Sequence, residues 1–126
     1  MEQPASVGGM NPDQPAGASS GSDLSAHRVA DNPGKSRYEI FVEGELAGFV
    51  TYRLKGDVIA FLHTETELPF QGAGLASHLV RETLDDARRR HLSVLPFCPY
   101  VAGWIQRHPE YADLVPADRR PDFDLA

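Results

Sequence analysis

Residues 37–43 alternate between β-forming apolar and polar positions, with Tyr38, Ile40 and Val42 on one face, and predict a strand. Gly44 marks a turn, and residues 46–54, with Phe49, Val50 and Tyr52 as their bulk, predict a second strand. Lys55, Gly56 and Asp57 predict the next turn. Residues 58–62 are apolar on both faces, which predicts a central strand covered on both sides. Three strands joined by short turns make an antiparallel meander. The period then lengthens. Between Gly74 and Arg90, Leu75, Ala76, Leu79, Val80, Leu84 and Ala87 form one helical stripe. Asp85 with Arg89, and Asp86 with Arg90, have the acid-first spacing of helical ion pairs. Arg88, Arg89 and Arg90 suit the negative end of the helix dipole, so this basic run reads as a solvated helix end. Residues 93–97 predict a short strand, which must return parallel through a right-handed crossover. Pro96 weakens its pairing, and Pro99 opens a second helix that runs to about Arg107. Trp104 and Ile105 read as core, and His108, Pro109, Glu110 and Tyr111 as the stop, followed by a short turn of helix. The expected fold is α+β: a meander, then a βαβ unit, in one mixed sheet.

Composition sets the boundaries. At 126 residues there is room for one ordinary domain. Of the first 36 residues, 15 are Gly, Pro or Ser, and large apolar residues are sparse, so this segment is expected to be a disordered tail. Residues 118–126, rich in Asp and Arg, are expected to form a second tail, leaving a domain over 37–117. A core that small is consistent with a monomer or a weak homodimer. The net charge of −6 argues against a nucleic-acid partner, and no apolar run is long enough to span a membrane. The single cysteine, Cys98, excludes a disulfide framework and a multi-cysteine zinc site, so no metal is expected. With no secretory signal pattern at the N-terminus, a reducing cytoplasm is the expected compartment.

Between the third strand and the long helix lie Pro69, Phe70, Gln71, Gly72, Ala73, Gly74, Leu75 and Ala76. Two glycines two apart allow a tight turn and close approach of a ligand to the main chain. The loop opens directly into a helix, whose free N–H groups form an anion cradle. It lacks the Gly-Lys-Ser/Thr of a Walker loop and the third glycine of a dinucleotide fingerprint. A plain strand-to-helix turn is the other reading of this spacing.

Gln71, Gly74 and Ala76 fit the signature glutamine or arginine, two residues, glycine, one residue, glycine or alanine of the GNAT N-acetyltransferase superfamily. Three segments in order resemble a small single-domain subgroup of it. They are His63, Thr64 and Glu65; the 71–76 loop; and residues 95–101 running on to Arg107, His108, Pro109, Glu110 and Tyr111. The resemblance implies a GNAT-like sheet whose last strands splay apart, with acetyl-CoA lying in the split. It implies that Gln71, Gly72, Ala73, Gly74, Leu75 and Ala76 hold the pyrophosphate and that Thr64 and Cys98 lie along the cofactor. It also implies transfer of the acetyl group to a primary amine, on a protein lysine or a small molecule. Larger members carry a further strand and two helices before the meander. Their replacement here by a tail implies an open, shallow acceptor side, which favours something bulky.

Acetyl transfer to an amine requires loss of a proton from the amine, a polarised thioester carbonyl and protonation of the leaving thiolate. Glu65 and His63, two apart in a strand, share a face, and either can act as a base; a polar strand end is the plainer reading. Cys98 precedes Pro99 at a helix start, where a thiol becomes more acidic. A buried small hydrophobe is the plainer reading; the others are a contact to the pantetheine or thioester and a nucleophile that carries acetyl. Tyr100 is a candidate acid for the thiolate by analogy with the superfamily, or else a packed aromatic. Two other functions compete: a CoA-binding module without catalysis, and a hydrolase using Cys98, His63 and Glu65 together.

Overall fold

The computed structural model describes residues 27–71 and 74–125. They form five strands and two α-helices: β1 His27–Asn32, β2 Arg37–Val42, β3 Glu45–Lys55, β4 Val58–Thr66, α1 Leu75–Arg89, β5 Ser93–Pro96 and α2 Pro99–Arg107. Short 3-10 turns occupy Pro33–Lys35, Leu68–Phe70, Pro109–Leu114 and Ala117–Phe123. The strands make one sheet in the order β1-β2-β3-β4-β5. β3 and β4 pair antiparallel, and β4 and β5 pair parallel, so the sheet is mixed. The described residues divide into two compact units, one holding 29–40, 46–71 and 74–125, the other 27, 28 and 41–45. Within the smaller unit the Arg28 guanidinium stacks on the Phe41 ring at 4.6 Å.

In the larger unit the helical stripe behaves as its period predicts. Leu75, Leu79, Val80, Leu84 and Ala87 are buried. Val80 and Leu84 of α1, Val101 of α2, Val50 of β3 and Phe61 of β4 meet around one small space, so both helices cover the same face of the sheet. The third predicted strand, now β4, is therefore covered on one face only: Ile59 and Phe61 are buried while Leu62 is exposed. Among the described residues no second layer lies over its other face to bury Leu62.

Thr83, absent from the apolar stripe, lies on it. It is 2% exposed, and its hydroxyl finds no hydrogen-bond partner among the described residues. A buried hydroxyl without a partner costs about 1–3 kcal/mol. Thr83→Val keeps the shape and removes that cost, so urea unfolding should show a gain of about 1 kcal/mol. A loss would mean that the hydroxyl is satisfied in solution.

Parts of both expected tails are built into the fold. Residues 27–36 are not tail: they hold β1 and a 3-10 turn. Tyr52 donates its hydroxyl to Asp31 at 2.6 Å, and Asn32 donates to Glu39 at 3.1 Å. The rest of the expected N-terminal tail lies outside the described residues. At the other end, Ala117–Phe123 is a 3-10 turn, with Phe123 and Leu125 buried. Arg120 donates to the carbonyls of Ala112 and Val115, and Gln106 to that of Phe123. Two apolar anchors and these main-chain bonds hold a segment otherwise rich in Asp and Arg.

A polar cluster ties the C-terminal end of α1 to the first strands. Tyr38 donates to Asp86 at 2.5 Å, and Arg90 donates to the Tyr38 hydroxyl at 2.8 Å and reaches Asp86 and Asp31. Burial, and then the hydrogen bonds to Asp86 and Asp31, push the Tyr38 and Tyr52 phenols well above their ordinary range. Burial opposes ionisation of Asp86, but the bonds from Tyr38, Arg90 and Arg89 outweigh it and hold the carboxyl below its usual value. The Asp86–Arg90 pair forms as its spacing predicts. The Asp85–Arg89 pair does not: Asp85 accepts from the Tyr111 hydroxyl at 2.8 Å, and Arg89 turns to Asp86.

Candidate active site

The β4–β5 ladder runs from Val58 opposite Ser93 to Phe61 opposite Pro96 and goes no further. β4 itself continues to Thr66, paired only with β3 on its other side. β5 ends where Pro96 removes the ladder donor. The Phe97 amide turns back to the Leu95 carbonyl at 3.0 Å, and the Cys98 amide donates to the Phe61 carbonyl at 2.8 Å. The strands therefore part beyond Phe61, and α2 starts at Pro99 on the far side of the split.

Inside that split β4 changes phase. Tyr52 is opposite Phe61, but Thr51 is opposite His63, so Leu62 is an extra residue, a β-bulge. Simple alternation would put His63 and Glu65 on the same face as Phe61, toward the helices. The bulge reverses this. Thr64, opposite buried Val50, faces the helices, and its hydroxyl lies 3.3 Å from the Cys98 thiol. His63 and Glu65 face the uncovered side, where His63 Nε2 lies 3.2 Å from Glu65 Oε1.

This geometry divides the four candidate catalytic residues. His63 and Glu65 form one exposed pair, with Glu65 54% accessible. Cys98 is buried against Thr64 on the opposite face of β4. A Cys98–His63–Glu65 relay is therefore not assembled, which removes the hydrolase reading; the bulge at Leu62 is the reason. Tyr100, the second residue of α2, is partly exposed at the same end of the split. His108 and Tyr111 are structural. The His108 ring stacks on Trp104 at 3.8 Å and bonds its carbonyl, and the Tyr111 hydroxyl bonds Asp85 and Arg81.

Gly48 fixes the end of β4 against β3: a Cβ there would stand 2.7 Å from the Glu65 carbonyl oxygen. The chain then folds over. Glu67 N–H donates to the Ala47 carbonyl, and the Gln71 side-chain amide donates to the Thr66 carbonyl at 3.1 Å. Gln71 thus braces the loop from within. Gly72 and Ala73, two of the expected cofactor contacts, lie outside the described residues. Gly74 caps α1 at φ 74°, in the left-handed region that favours glycine. A Cβ on it would meet nothing within 4 Å. The first helical bond returns from His78 N–H to the Gly74 carbonyl. α1 has no side-chain cap and no acidic residue in its first turn. The main-chain N–H groups of Leu75 and Ala76 therefore precede the helical ladder at its positive end. Leu75 buries its side chain in the core, so only its main chain is on offer. Among the described residues no cluster of His, Cys, Asp or Glu could hold a metal ion.

Comparison with known proteins agrees with this architecture. A family model described as GCN5-related N-acetyl-transferase matches residues 37–114. A solution structure of a GCN5-like putative N-acetyltransferase from Staphylococcus aureus aligns with a TM-score of 0.51 at 22% identity, covering 71% of this chain and 87% of that one. The crystal structure of Ard1 from Thermoplasma volcanium aligns at 0.42 and 22% identity, over 48% of this chain and 43% of that one. A ribosomal-protein-alanine N-acetyltransferase from Brucella melitensis biovar Abortus 2308 aligns at 0.45 and 23% identity, over 64% of this chain and 61% of that one. The Staphylococcus likeness shows a shared fold. The family match spans both helices and every candidate site residue. The chain belongs to the GCN5-related N-acetyltransferase family.

Proposed function

We propose that this chain moves an acetyl group from acetyl-CoA directly to a primary amine, in the split between β4 and β5. The observation that carries the reading is the parting of the strands beyond Phe61 and Pro96, beside a helix whose first turn has no side-chain cap and no acid. Bound acetyl-CoA would supply the activated acyl group. The pyrophosphate suits the main-chain N–H groups at the start of α1, where the dipole favours anions. Thr64 and Cys98, packed together on the helix side of β4, would line the cofactor.

The amine must be uncharged when it attacks. The exposed His63–Glu65 pair can take its proton, with Glu65 as the acceptor and His63 holding the carboxylate in place. The C–N bond then forms as the C–S bond breaks. The thiolate takes a proton, for which Tyr100 is the candidate donor, and the second proton shed by the acylated nitrogen restores the phenol. Direct transfer suits this chain better than a covalent relay, because Cys98 and the base pair stand on opposite faces of one strand.

The open acceptor side agrees with what precedes the β2–β3–β4 meander. β1 is present, but only the 3-10 turn Pro33–Lys35 separates it from β2, with no pair of helices. The test is release of CoA thiol from acetyl-CoA with lysine peptides and with small amines. Amine-dependent release supports the reading. Tight acetyl-CoA binding without such release would make the chain a CoA-binding module.

A further inference from the structure

Among the described residues Glu39 is the one charged residue that is buried, at 6% exposed. The chemistry proposed above does not use it, and a buried carboxylate is costly unless it is paired. Its partners are Arg37, whose Nε donates at 2.7 Å, and Asn32, whose Nδ2 donates at 3.1 Å. Arg37 and Glu39 alternate along β2 with Tyr38, whose hydroxyl reaches Asp86 on α1, so they face the side of the sheet that the helices leave uncovered. There the Arg37 guanidinium lies over the Phe49 ring, 4.3 Å from its centroid. Phe49 is the direct cross-strand partner of Glu65. A line of residues therefore crosses four strands: Asn32 on β1, Glu39 and Arg37 on β2, Phe49 on β3 and, beside it on β4, Glu65.

Directly opposed residues of an antiparallel pair share a face, with their Cβ atoms about 4.5–5.5 Å apart. Beyond Phe61 β4 has no partner on the β5 side, so β3 is the only strand that flanks it there. The Glu65 side chain is 54% accessible, and the His63 ring that it bonds is 63% accessible. One hydrogen bond between two exposed side chains does not restrict a long acid to a single rotamer. A general base contributes only in the geometry that reaches the proton. We infer that Phe49, clamped by Arg37 and Glu39, is a positioning residue, whose ring is the wall that limits Glu65 to the orientation in which it takes the amine's proton. This inference rests on the reading of Glu65 as the base. The buried ion pair serves the site by fixing the ring.

The test is a series at Phe49 in the full chain, with kcat, the KM for the amine and the Kd for acetyl-CoA measured for each variant. Phe49→Leu keeps an apolar wall and should keep most of kcat. Phe49→Ala removes the wall and should lower kcat by about 10–100-fold with KM and Kd little changed, because a misplaced group costs rate rather than binding. Arg37→Lys keeps the charge against Glu39 but loses the flat stack on the ring, and should lower kcat by a smaller factor. In a Glu65→Gln background Phe49→Ala should cost nothing further, since the ring acts through the carboxylate. Melting curves accompany every variant, and Phe49→Val, which keeps strand propensity, carries the test if Phe49→Ala unfolds. Three results would overturn the inference alone: a wild-type kcat in Phe49→Ala, a raised amine KM at unchanged kcat, or an equal loss of kcat in the Glu65→Gln background. The second would make the ring a substrate contact. A wild-type chain without amine-dependent turnover would sink the acetyltransferase reading, and a wild-type kcat in Glu65→Gln would sink the base; the positioning role falls with either.

Discussion

Gly74→Trp should abolish acetyl-CoA binding in a chain that still folds. At φ 74° any L side chain is strained, at a cost of about 1–2 kcal/mol. A Cβ there meets nothing within 4 Å among the described residues, so the first atom of the new side chain finds open space. The indole would stand in the approach to the free N–H groups at the start of α1. Charge-assisted hydrogen bonds contribute about 1.5–3 kcal/mol each, so losing two of them weakens binding by about a hundredfold or more. Gly74→Ala carries the same strain without the bulk and should retain most of the affinity. Isothermal titration of both variants separates obstruction from misfolding. Unchanged affinity in Gly74→Trp would remove the pyrophosphate from this end of α1.

Glu65→Gln should lower kcat by about 10²–10⁴-fold, the usual contribution of a positioned general base. The substitution keeps the shape and the hydrogen bond to His63 but removes the charge that accepts the amine's proton. Because Glu65 is 54% exposed, its loss should change stability by no more than about 0.5 kcal/mol. Acetyl-CoA affinity should be unchanged, since the carboxylate stands on the face of β4 opposite Thr64 and Cys98. Steady-state kinetics with a saturating amine, beside a melting curve, checks all three expectations. A kcat equal to wild type would show that the proton leaves by another route.

What could be read from the residues follows the range of the forces involved. The stripe of α1 was legible because its apolar residues recur at helical spacing, and Leu75, Leu79, Val80, Leu84 and Ala87 are all buried. Thr83 was missed because polarity, not position, defined the stripe. β1 was illegible because its holding contacts are remote: Tyr52 to Asp31, and Arg90 to Asp31, cross the chain. The segment at Ala117–Phe123 hid for a related reason, since Phe123 and Leu125 anchor it among charged neighbours.

The site shows the same limit more sharply. A period of two correctly puts His63 and Glu65 on one face, but it cannot say which face. That depends on the bulge at Leu62, which arises from the register of β4 against β3. With a straight strand, His63 and Glu65 would face the side of β4 on which Thr64 now meets Cys98; with the bulge they face the other. The contact between Thr64 and Cys98 likewise joins residues that no spacing rule connects.

The most direct test of the central claim is thermal unfolding of the whole chain with acetyl-CoA, with free CoA and ADP as controls. A ligand at about 100 times its dissociation constant stabilises the native state by roughly 2.7 kcal/mol, which a domain of this size reports as a rise of several degrees in Tm. The account predicts a clear rise with acetyl-CoA and with CoA, and a smaller one with ADP, which carries the adenosine and pyrophosphate without the pantetheine arm. A cooperative transition that does not move at millimolar acetyl-CoA would contradict it.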